Sequence, residues 1–92
     1  MSRSNTVFIG RKPVLNYVLA CLTVIKSRQD EDIFVKARGR SISTAVDVVE
    51  VLRNRFIPDI RVDDISIGTD EISSPDHRGP SNVSTIEIKL SR

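Results

Sequence analysis

The chain has 92 residues, which suits one domain and no second, and its 39% hydrophobic content excludes the disordered class. Fourteen basic and 12 acidic side chains leave a formal charge of +2, too small by itself to point to a partner. One cysteine excludes an internal disulfide, no apolar run approaches the ~20 residues that span a bilayer, and the polar start Met1–Asn5 lacks a signal-peptide core, so a cytoplasmic protein is expected.

Thr6–Ile9 is a short β-type run closed by Gly10, and Pro13 suits the first turn of a helix, where its missing N–H is no loss. From Val14 to about Lys26, Val14, Leu15, Val18, Leu19, Leu22 and Ile25 recur at helical spacing, and Cys21 within them reads as a small core residue. Asp32 to Arg38 alternates as a strand, with Ile33, Val35 and Ala37 on one face and Phe34, Lys36 and Arg38 on the other. Gly39 ends it. Ser41 or Ser43 is expected to cap a second helix running to about Arg55, with Ile42, Ala45, Val49, Leu52 and Phe56 on one stripe. Val46, Val48 and Val51 widen that apolar surface, as for a helix meeting both a sheet and another subunit.

Two strands follow, at about Ile60–Ile72 and Asn82–Leu90. In the first, Ile60 and Val62 share a parity that Ile65 and Ile67 lack, which predicts a bulge or a late strand start at Asp63–Asp64. In the last, Ile86, Ile88 and Leu90 point inward and Glu87 and Lys89 outward. Ser73 to Ser81 is too long and proline-rich for a tight hairpin, so a mobile arm is expected at about residues 69–82. The order β-α-β-α-β-β predicts one α/β domain over residues 1–92, a two-layer sandwich of two helices on a four-stranded mixed sheet.

Catalysis has no constellation here. The chain holds no Cys/His cluster for a metal, no phosphate-loop or dinucleotide glycine pattern, and a single histidine, His77, in the proline-rich arm. Neither metal nor cofactor is expected. The charges, by contrast, are segregated: basic ones at Arg11-Lys12 and at Lys36, Arg38 and Arg40; acidic ones at Asp30-Glu31-Asp32, Asp63-Asp64 and Asp70-Glu71. Both basic runs join a strand to a helix. In a β-α-β-α layout the two junctions fall together at the carboxyl ends of parallel strands and at helix N-termini, where amides and dipole favour anions. Arg11, Lys12, Arg38 and Arg40 then form one phosphate site, to which Asn16 and Tyr17 add hydrogen bonds or a stacking surface and Arg78 of the arm adds a groove contact.

The segments Gly10-Arg11-Lys12-Pro13-Val14-Leu15-Asn16-Tyr17-Val18-Leu19-Ala20, Lys36-Ala37-Arg38-Gly39-Arg40-Ser41-Ile42-Ser43 and Arg53-Asn54-Arg55-Phe56 together resemble the Alba family of archaeal chromatin proteins, over nearly the whole chain. The resemblance implies a dimer that binds double-stranded DNA, and also RNA, with little sequence preference and in association with the chromosome. The partner subunit is a second copy or a paralogue, and no membrane is involved. It places Arg11 and Lys12 on the family's basic loop near the dimer centre, Arg38 and Arg40 at backbone-contacting positions, Tyr17 on the nucleic-acid face, and Asn54, Arg55 and Phe56 where neighbouring dimers touch along the duplex. The family's acetylated lysine falls at Arg11, which cannot be acetylated in that way, so Lys12 is the modification candidate. The arm, with Asp76 beside His77 and Arg78, is less basic than the family's. The rival expectations are an RNA-binding or RNA-processing subunit on the same surface, and a protein-interaction module that docks a partner on its apolar helix.

Overall fold

The computed structural model describes residues 5–27, 31–72 and 81–92. Its elements are β1 (Thr6–Phe8), α1 (Val14–Ser27), β2 (Ile33–Arg38), α2 (Ser41–Val51), which runs on into a π-helical turn (Leu52–Phe56), β3 (Arg61–Ile72) and β4 (Ser81–Ser91). The strands form one sheet in the order β1-β2-β4-β3. β1 and β2 are parallel, and the other pairs are antiparallel. The fold is the expected two-layer α/β sandwich with two helices on a four-stranded mixed sheet.

The alternation of β2 decides which face the helices cover. Ile33, Val35 and Ala37 are buried and lie opposite Leu90, Ile88 and Ile86 of β4. Against them pack Tyr17, Val18, Cys21 and Ile25 of α1 and Ala45, Val48 and Val49 of α2, with Leu52 beyond. The sequence stripe on α1 included Leu15 and Leu19, but both stand more than half exposed, at 54% and 53%. The helix is turned about its axis so that Tyr17 enters the core, and its hydroxyl is held there by loop amides described below. On α2 the capping expectation also needs correcting. Neither Ser41 nor Ser43 caps the helix; Arg40 takes the cap position without a side-chain bond. Gly39 has φ +55°, a left-handed conformation that glycine adopts without strain, and its carbonyl accepts the Ile42 amide at 3.2 Å. Backbone closes this helix start, which frees Ser41 for another contact.

A bulge lies between Val62 and Asp64, as the parity slip predicted. The extra residue brings Val62, Ile65 and Ile67 onto one face, opposite Leu90, Ile88 and Ile86. Because β3 is the edge strand, its far half runs past the helices: Ile65 is 55% and Ile67 83% exposed on the face that carries the core elsewhere. The pairing continues to Ile72 opposite Ser81. The tip of the expected arm, with His77 and Arg78, lies outside the described residues.

The π turn moves one more side chain. The Ile57 amide bonds the Leu52 carbonyl at 2.8 Å, five residues back. With that wider turn Ile57 enters the core, and Phe56, which a regular helix would place below Leu52, is 45% exposed.

Candidate nucleic-acid interface

The parallel pairing of β1 with β2 brings the two strand-to-helix turns side by side. The Ile9 amide reaches the Lys36 carbonyl at 2.8 Å, and Ser41 at the head of α2 donates its hydroxyl to the Gly10 carbonyl at 3.3 Å. Arg11, Lys12, Arg38 and Arg40 are all exposed along this edge, and Asn16 is exposed one turn into α1. A groove of about 610 Å3 runs from the edge onto the open face of the sheet, lined among others by Gly10, Arg11, Arg38, Ser41, Gly68 and Asp70.

Electrostatics distinguish the edge from the face beside it. A cation at a helix N-terminus meets the positive end of the dipole, a disadvantage of about 0.3–1 kcal/mol. Yet neither α1 nor α2 carries an acidic residue in its first turn. Among the described residues no carboxylate pairs with Arg11, Lys12 or Arg40. Among the described residues this edge therefore lacks a counter-charge, and helix starts of this kind favour anions. On the open face the cations have partners already: Lys36 lies 3.8 Å from Glu87, Lys89 3.4 Å from Asp32, and Arg38 3.6 Å from Asp70. Arg38 therefore stands at the boundary, on the edge yet held by the base of the arm.

Tyr17 occupies a different place from a stacking platform. Its side chain is buried, and its hydroxyl accepts hydrogen bonds from the amides of Gly10 at 2.9 Å and Lys12 at 3.0 Å. Those two amides point inward, so the groups this turn leaves exposed are the side chains of Arg11 and Lys12. The signal for this was the spacing of Tyr17 from a glycine seven residues before it, which sequence alone leaves ambiguous. Cys21 is fully buried, and burial pushes its thiol up to about 11, so it stays protonated and unreactive at neutral pH. Among the described residues no group of three or more His, Cys, Asp or Glu side chains is placed to hold a metal ion, and no helix is long and apolar enough to cross a membrane. Asn54, Arg55 and Phe56 are exposed together on the π turn.

This arrangement defines a small α/β protein with a cationic edge on which Arg11, Lys12 and Arg40 have no acidic partner among the described residues. The model of the Alba family matches residues 5–69, and the chain belongs to that family. It is 54% identical over 88 residues to the DNA/RNA-binding protein Alba 1 of Archaeoglobus fulgidus, covering 96% of both chains. It is 47% identical over the full length of both chains to the DNA/RNA-binding protein Alba of Thermoplasma acidophilum. Its fold superposes on the Alba structure from Thermoplasma volcanium with a TM-score of 0.86 at 48% identity, over 96% of this chain and all of that one. A second solved structure, ALBA1 from Trypanosoma brucei, shares the fold at 24% identity, with a TM-score of 0.79 over 100% of this chain and 72% of that one. The names of these relatives denote binding proteins or the family itself, not enzymes.

Proposed function

We propose that this protein binds nucleic acid as a homodimer and coats double-stranded DNA without reading its sequence, in association with the chromosome. The observation that carries the reading is the pair of adjacent helix starts bearing Arg11, Lys12 and Arg40 with no acidic partner among the described residues. The relatives named DNA/RNA-binding proteins support it. Contacts of this kind fix a protein on the phosphate backbone but carry no base information. Dimerisation has its support in apolar surface that one subunit leaves open: Leu15 and Leu19 on α1, Val46 on α2, and Ile65 and Ile67 on β3. Phe56 with Asn54 and Arg55 is the surface through which neighbouring dimers meet along the duplex. Lys12, exposed on the loop, is the residue open to acetylation.

The test is a duplex titration across salt concentrations on protein whose dimeric mass has been measured. A dimer neutralising about six to eight phosphates gives a slope of log affinity against log salt of about −5 to −7. A flat salt dependence removes the phosphate reading. The family's shared DNA/RNA naming makes structured RNA the second substrate in the same titration. RNA bound far more tightly than duplex DNA at equal salt turns the assignment to an RNA-binding subunit.

A further inference from the structure

Tyr17 is a buried side chain whose polar atom is spent on a loop. Its ring packs in the core with Val18 and Cys21, while its hydroxyl takes the amides on either side of Arg11, from Gly10 at 2.9 Å and Lys12 at 3.0 Å. Gly10 has room for this approach because it has no side chain: a Cβ there would stand 3.1 Å from the phenol oxygen. Its carbonyl in turn accepts the Ser41 hydroxyl at 3.3 Å, from the first residue of α2. One loop residue is thus held by α1 through its amide and by α2 through its carbonyl. Residue 10 is the joint between the two cationic turns.

We infer that Tyr17 is a positioning residue for the cationic edge, its phenol fixing the Gly10–Lys12 turn while Ser41 ties that turn to the start of α2. The inference rests on the phosphate reading above. A turn that begins with glycine is otherwise free to sample many backbone states, and each state not suited to the duplex lowers affinity. The phenol removes that freedom from a turn whose side chains, Arg11 and Lys12, are themselves long and exposed. The bond through Ser41 sets the spacing of Arg11 and Lys12 from Arg38 and Arg40, and hence which phosphates one subunit can meet at once.

The experiment is Tyr17→Phe in the full-length dimer, which keeps the ring and removes only the acceptor. Amide hydrogen exchange at Gly10 and Lys12 is expected to quicken while Val18 and Val35 in the core keep theirs. Duplex affinity is expected to fall about three- to tenfold. The salt slope is expected to become shallower by about 1 to 2, as phosphates drop out of simultaneous reach. Should Tyr17→Phe fail to fold, Ser41→Ala cuts the other side of the joint and is judged by affinity and salt slope, both expected to change in the same directions, and no change in either overturns the positioning role. Faster exchange with unchanged affinity and slope overturns the positioning role and leaves a tie that only holds the fold. Unchanged exchange overturns the tie itself. If the unsubstituted protein does not bind duplex, the phosphate reading has failed, and the exchange data still decide the tie.

Discussion

The loop edge and the open face of the sheet carry similar cations to different ends. On the face, Lys36 lies within 4 Å of Glu87 directly opposite on β4, Lys89 within 4 Å of Asp32 just before β2, and Arg38 within 4 Å of Asp70, two strands away on β3. On the edge, Arg11, Lys12 and Arg40 sit where two chain reversals place them beside helix starts that contain no acid. Strand pairing offers a cation a partner from within the chain. The two strand-to-helix turns offer it the positive end of a dipole and, among the described residues, no acid, which is the support for an outside partner in the proposed function. A net charge of +2 conceals this, because Glu87, Asp32 and Asp70 pair with cations of the face while, among the described residues, no acid pairs with Arg11, Lys12 or Arg40.

The sharpest way to break that comparison is to remove two cations from each region in turn. Replacing both Arg11 and Lys12 by alanine takes four contacts from a dimer and is expected to lower duplex affinity about a hundredfold or more at about 0.1 M salt, with the slope shallower by about 3 to 4. Replacing both Lys36 and Lys89 is expected to change affinity less than about threefold, because each already interacts with an acid of its own. Parallel titrations by fluorescence anisotropy measure both. Equal losses from the two pairs erase the distinction between edge and face.

How much of this was legible in the sequence differs by element. The β2 alternation, the helix of α1 and the bulge at Asp63–Asp64 could be read because each rests on a local period or a break in one. The convergence of the two basic turns followed from chain order alone, since a parallel pair puts both turns at one end. The inward rotation of Tyr17 was not legible, because an amphipathic hydroxyl-bearing ring fits an exposed face as well as a core until its partners are known. Nor was the π turn. Phe56 falls on the helical stripe by counting four from Leu52, and only a hydrogen bond spanning five residues reveals that Ile57 fills the core instead. That turn sets an aromatic ring on the surface beside Asn54 and Arg55. Phe56→Ala is accordingly expected to leave the folded dimer and its affinity for a short duplex unchanged while cooperativity on a long duplex falls about tenfold. Comparing binding curves on the two lengths measures it, and undiminished cooperativity removes Phe56 from the contact between dimers.

The finest probe of the comparison is the one residue that belongs to both regions. Arg38 ends β2 at the edge, yet its guanidinium lies 3.6 Å from Asp70, with both side chains more than half exposed. Before Arg38 can meet a phosphate this pair must open, and Asp70 itself repels the incoming strand. Exposed pairs of this kind are worth about 0.2–1 kcal/mol, so the opening costs little, but in the proposed dimer duplex binding would bear that cost twice. Asp70→Asn removes the competitor while keeping the shape of the side chain. Affinity is expected to rise about two- to fivefold at low salt, an advantage that shrinks as salt screens the carboxylate. The same substitution in an Arg38→Ala background separates the two effects: an increase that persists there comes from repulsion of the duplex, and one that vanishes comes from the freed guanidinium. No increase in either background means that Arg38 works from the sheet face, already neutralised, and that the cationic edge ends at Arg40.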